Sequence, residues 1–184
     1  MIFQSTMTKD YKSVTSLQLT SKRITVISDY DMIFRQMAKL TELNLGGNKI
    51  KSIEKLTDLK NLRTLNLSDN LITEFNNLNL PLLQYLIVDR NQISTINNLS
   101  SVKKLQYLSL SGNLITDASL KDTTYLLVNL TYLNLSDNMI DRLEFLYGYP
   151  KLVEFNISNN PIDKIGANTF REVVDLEVLQ LRNI

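Results

Sequence analysis

The sequence predicts a right-handed solenoid of the α/β class: a horseshoe with a parallel β-sheet on its concave face and 3₁₀ or short α-helices on its convex face. Three observations predict it. The block Leu62-Arg63-Thr64-Leu65-Asn66-Leu67-Ser68-Asp69-Asn70-Leu71-Ile72 returns nearly unchanged from Leu130 to Ile140. Its skeleton, L-x-x-L-x-L-x-x-N-x-I, occurs six times in register, with the asparagine at Asn48, Asn70, Asn91, Asn113, Asn138 and Asn160. Between copies, apolar residues fall three apart, a spacing that suits tight turns or 3₁₀ helix better than a long α-helix.

The first element, within residues 1–39, is a capping repeat. Val14, Leu17, Leu19 and Ile24 keep the apolar pattern, but Lys22 stands where the asparagine belongs. Terminal repeats are expected to depart from the consensus, because one side faces water instead of a neighbour. A short α-helix is predicted over Asp29 to Lys39, with Asp29 as its N-cap and Ile33, Phe34 and Met37 on its inner side.

Six regular repeats occupy residues 40–175. In each, the residues around the second and third consensus leucines alternate in and out, which is the period of a strand. The inward pairs are Leu43/Leu45, Leu65/Leu67, Leu86/Val88, Leu108/Leu110, Leu133/Leu135 and Phe155/Ile157. One coil cannot bury its own leucines, so the coils must stack, each buried side chain contributing roughly 1.5–3 kcal/mol. Return segments such as Ile50, Ile53, Leu56 and Leu59 form the convex side. The longest unit carries a second predicted α-helix over Asp117 to Val128, while Pro81, Pro150 and Pro161 fall in connections, where a missing amide is tolerated. Residues 176–184 form an incomplete last repeat: Leu176, Leu179 and Leu181 keep the pattern, and Ile184 takes the asparagine place. No amphipathic cap follows, so further chain or a partner is expected to cover this edge, which is also a candidate surface for self-association. No second domain is expected.

Val14 to Ile184 resembles the leucine-rich-repeat family. The resemblance implies that each consensus asparagine turns inward and bonds the backbone leaving its strand, forming a ladder from coil to coil. An amide side chain has the donors and acceptors for this, and an unpaired buried backbone group would cost about 1–3 kcal/mol. The repeat length near 22 looks like the subfamily that includes phosphatase-1 regulatory proteins, a dynein light chain and a spliceosomal repeat protein. That likeness is one of length and consensus, and it carries no binding residue to this chain. The stretch from Ile165 to Leu176 looks instead like the G-x-x-x-F-x-x-L segment of extracellular-type repeats.

Composition narrows the function. The 184 residues are 43% hydrophobic and 21% charged, enough for one soluble domain with its own core. With 20 basic against 19 acidic residues, no global field draws the chain to nucleic acid or anionic lipid, so neither is an expected partner. There is no Cys, His or Trp, which removes thiol and imidazole nucleophiles, their metal sites and all disulfides. No catalytic residue, cofactor or metal is expected. Paired carboxylates such as Asp69 and Asp89 would lie on a shallow open face with no sign of the desolvation that raises a carboxyl pKa for general acid–base work. The first ten residues carry neither the charged nor the apolar region of a signal peptide, and no apolar run is long enough to insert in a membrane.

The x positions of the strands should line the concave face. The column before the second leucine reads Ser16, Glu42, Thr64, Tyr85, Tyr107, Tyr132, Glu154 and Val178; the column after it is polar except for Ile87. Tyrosine offers large contact area at small entropic cost. Tyr85, Ile87, Tyr107 and Tyr132 are therefore the expected centre of a partner-binding site, with Arg63, Asp89 and Arg90 in its polar rim. Ring packing between adjacent strands, worth about 0.2–1 kcal/mol per pair, is the competing explanation of the tyrosines. The expectation is a non-enzymatic module that grips a protein or peptide, as an intracellular scaffold, adaptor or regulatory subunit in the cytoplasm. The alternative is a piece of a secreted or cell-surface recognition protein of innate immune type. Asn-x-Ser/Thr triplets at Asn66, Asn98, Asn129 and Asn134 arise from the consensus itself and say little about secretion.

Overall fold

The computed structural model describes residues 11–75, 78–96, 99–121 and 127–184. Asn98 and the stretch 122–126 of the second predicted helix lie outside them. Among the described residues eight three-residue strands stand in chain order in one parallel sheet: β1 (Ser16–Gln18), β2 (Glu42–Asn44), β3 (Thr64–Asn66), β4 (Tyr85–Ile87), β5 (Tyr107–Ser109), β6 (Tyr132–Asn134), β7 (Glu154–Asn156) and β8 (Val178–Gln180). Each begins at the residue before the second consensus leucine. Leu17, Leu43, Leu65, Leu86, Leu108, Leu133, Phe155 and Leu179 are successive Cα partners, so the residues on either side of them form two outward columns.

All six predicted inward pairs are buried. Behind the sheet the wider part of each coil is filled by larger or branched side chains, with Phe34, Phe75, Phe145 and Tyr149 essentially inaccessible. Short 3₁₀ helices at Glu54–Asp58 and Glu144–Gly148 hold the convex side, as the three-residue spacing predicts.

The asparagine ladder is present in each of the six regular coils. Asn113 is typical: its Oδ1 accepts from the Ile93 amide of the preceding coil at 3.0 Å, and its Nδ2 donates to the carbonyls of Val88 and Leu110, both at 3.0 Å. Asn48 reaches back into the capping coil, accepting from both Lys22 N and Ile24 N. The amide thus fastens its own turn and the coil before it with one side chain.

A second ladder lies one residue earlier. Ser21, Gly47, Asp69, Arg90, Gly112, Asp137, Asn159 and Asn183 all have left-handed backbone, with φ between 50° and 67°. The amides of Gly47, Asp69, Arg90, Gly112, Asp137 and Asn159 each donate to a carbonyl of the next coil. At Gly112 a Cβ would stand 3.2 Å from Arg90 Cγ, so both conformation and space favour glycine.

The two predicted α-helices are corrected in extent. Asp29 does not cap the first; it lies inside a 3₁₀ turn, Ser28–Tyr30, and α1 covers only Asp31–Phe34. The cause is the spacing of Phe34, Met37 and Leu40. Met37 N bonds Phe34 O and Leu40 N bonds Met37 O, and these tighter turns bring all three side chains into the core. Helix α2 runs Asp117–Lys121 within the described residues. Between β7 and β8, Phe170 is half-buried and Val173 is buried, so valine fills the last apolar place of the segment resembling extracellular repeats. Strand β8 is exposed throughout, including Val178 and Leu179.

Candidate partner-binding face

Strand register assembles the candidate centre. Tyr85, Tyr107 and Tyr132 are Cα partners on β4, β5 and β6, and Ile87 lies in the second outward column beside them. The Tyr107 and Tyr132 rings stack at 4.0 Å with a 4° tilt, whereas Tyr85 meets Tyr107 at 5.8 Å and 32°. Tyr85 stays 44% exposed, and Tyr107, Tyr132 and Ile87 are half-buried. Burial raises the pKa of the Tyr107 hydroxyl well above the ordinary tyrosine value; a hydrogen bond with Tyr132 and the charges of Tyr132, Asp89 and Glu154 add to it.

The rim residues divide. Arg63 is exposed on the strand-entry side. Arg90 and Asp69 form a bidentate ion pair, Nε to Oδ1 at 2.6 Å and a terminal guanidinium nitrogen to Oδ2 at 2.7 Å. The hydrogen bond from Arg90 holds the Asp69 carboxyl below the usual aspartate range. Ile87, Asp89 and Arg90 also border an open depression of ≈ 440 Å³ that extends over the earlier coils past Asn66 to Gly46 and Gly47.

Asp89 is tied to its neighbours. Its Oδ1 accepts from Ser109 Oγ at 2.6 Å and from the Ser111 amide at 2.9 Å. The reason lies in the second column. Asn44, Asn66, Asn134 and Asn156 each accept from the amide two residues on, closing the turn that leaves the strand. Ser109 is too short to cap that turn, and Asp89 of the preceding coil supplies the acceptor instead. Ser109 is consequently buried although it occupies an outward column. Asn-x-Gly and Asn-x-Ser, repeated at this offset, were the sequence signal for these caps.

Among the described residues no group of three or more carboxylates stands close enough to hold a metal ion, and no helix is long and apolar enough to cross a membrane. Stacked coils, an internal amide ladder and a curved sheet carrying an aromatic stripe define a repeat solenoid that presents its strands outward. Residues 12–72 and 103–122 match family models described as leucine rich repeat, and 128–172 matches one described as leucine rich repeats in two copies. The chain belongs to the leucine-rich-repeat family.

Solved structures agree. Internalin C2 from Listeria monocytogenes is 27% identical, with a TM-score of 0.78 over 94% of this chain and 83% of that one. A leucine-rich-repeat protein of Leptospira interrogans is 27% identical, with a TM-score of 0.74 over 92% of this chain and 49% of that one. A chain of the LRIM1/APL1C complex is 30% identical, with a TM-score of 0.66 over 82% of this chain and 27% of its own length. This chain spans most of the first but only a minor part of the last.

Proposed function

We propose that this chain is a non-enzymatic protein-binding module whose concave sheet face grips a protein or peptide, with Tyr85, Tyr107 and Tyr132 as the anchor. The observation that carries the reading is the aromatic stripe, in register on three adjacent strands and partly open to solvent in a face otherwise polar but for Ile87 and Val178. A hydrophobic centre in a polar rim is the usual anatomy of an interface, and tyrosine is enriched at its hot spots. Likeness to a chain solved inside the LRIM1/APL1C complex also favours a protein partner. Asp69 and Asp89 are occupied by Arg90 and by Ser109 with Ser111, an arrangement that favours structure over general acid–base work.

Affinity capture with wild type and a Tyr85/Tyr107/Tyr132 triple alanine tests the site. Partners retained by wild type alone support it; an identical set on both proteins removes the tyrosines from the interface. A cysteine-free chain suits a scaffold or adaptor in a reducing cytoplasm. The segment Ile165 to Leu176 favours the second reading, a secreted or cell-surface recognition protein. Cell fractionation of the tagged full-length protein separates the two: partition with the medium or cell surface excludes the first.

A further inference from the structure

The tyrosine stack has an unequal environment at its two ends. Tyr107 covers one face of Tyr132, so the other face is turned toward β7, where the register sets Glu154 opposite. Glu154 is exposed, and among the described residues its carboxylate makes no hydrogen bond or ion pair. Its charge nevertheless reaches the stack, contributing to the raised pKa of Tyr107. By contrast, Asp89 is held by Ser109 and Ser111, and Asp137 accepts from Asn159 Nδ2 at 2.7 Å.

Charge around the stack is one-sided. In the outward columns of β5, β6 and β7 there is no Lys or Arg, although the chain as a whole has one more basic than acidic residue. On the turn rim Arg90 is paired with Asp69, and Arg182 stands four residues past Val178 on the coil of β8, two coils from Tyr132. An aromatic face turned toward an unpaired carboxylate, with no cation in the columns that flank it, is complementary to one kind of side chain. Guanidinium is planar, stacks on aromatic rings and bonds carboxylate through two parallel N–H groups. An ammonium lacks both the plane and the fork.

We propose that Tyr132 and Glu154 form an arginine slot, in which a guanidinium of the partner lies on the free face of Tyr132 and pairs with Glu154; the partner is thus a protein segment carrying arginine in a basic context. The proposal rests on the concave-face reading above and specifies which chemistry that face selects.

Panning a random-peptide phage library on the full chain, with Tyr107→Ala and Tyr132→Ala as counter-selecting proteins, tests it. Arginine should be enriched, relative to the unselected library, among peptides retained by wild type and lost on both variants. Peptides lost on both variants but without excess arginine overturn the slot and leave the tyrosine face as the binding site. If no recovered peptide depends on either tyrosine, both readings fall. Conservative variants then check the geometry with one synthesised arginine peptide. Tyr132→Phe should bind as wild type does. Glu154→Gln should weaken binding roughly two- to fivefold, the scale of one exposed cation–π or ion-pair contact, as should lysine in place of the peptide's arginine. Unchanged affinity for Glu154→Gln overturns the pairing, and unchanged affinity for the lysine peptide overturns the guanidinium.

Discussion

Individual side chains carry two separable jobs here. Asn113 bonds the Ile93 amide and carbonyls of two coils, so Asn113→Ala leaves buried backbone groups unpaired and should cost about 1–3 kcal/mol. Asn79→Ala, in an exposed connection, should cost less than about 0.5 kcal/mol; chemical denaturation of the two variants checks the contrast. For Asp69, the folded-state pKa lies below that of the unfolded chain. Its pair with Arg90 therefore adds stability that is fully present above the ordinary aspartate pKa and is lost as pH falls through the lowered value. The pair is solvent-exposed, so Asp69→Asn should cost at most about 1 kcal/mol at neutral pH, less in high salt, and nothing measurable once the carboxyl is protonated. Tyr107 titrates in the opposite sense. Its folded pKa is raised, so the native state keeps a proton that the unfolded chain has released, and stability should fall as pH climbs past the ordinary tyrosine value of 10.0. Phenolate absorbance should show a late-ionising group in wild type that disappears in Tyr107→Phe. The ladder asparagines were legible in the sequence because the same residue sits at the same offset six times. Asp89 was not: it acts across coils, for a serine that broke the local pattern, and no single-coil motif records that substitution.

Strands and turns divide the work by backbone geometry. The strands were readable because in-out alternation has a short period and the leucines mark it. Both outward columns follow directly from that register. Helix lengths were less readable, since Phe34, Met37 and Leu40 fit either an α-helix or a run of tighter turns, and closure of the coil decides between them. The left-handed turn position also escaped a local reading, because it accepts Gly, Asp, Asn, Ser and Arg at different coils. Gly112→Ala should cost about 1–2 kcal/mol from backbone conformation alone, with crowding against Arg90 added. Gly166→Ala, on an open convex turn, should be nearly silent when thermal melts of the two variants are compared, its added Cβ approaching only Thr169 Oγ1 at 3.4 Å.

For the whole molecule, stability is a sum of neighbouring interfaces, because each coil touches the ones beside it. Inner strands β4, β5 and β6 have partners on both sides, whereas β8 pairs only with β7 among the described residues. Hydrogen exchange should accordingly be slowest at the Leu86, Leu108 and Leu133 amides and fastest at Leu179; uniform protection from β1 to β8 would refute this additive picture. Distances between ladder asparagines vary from 21 residues, Asn70 to Asn91, to 25, Asn113 to Asn138, yet β5 and β6 keep Tyr107 opposite Tyr132. Extra length is taken up at the rear, where α2 begins, and never reaches the front. The two sides are thereby free to diverge independently: a reporter or an additional loop can be grafted onto the rear without re-aiming a single aromatic ring, whereas one residue inserted into a strand would misalign every neighbour it meets.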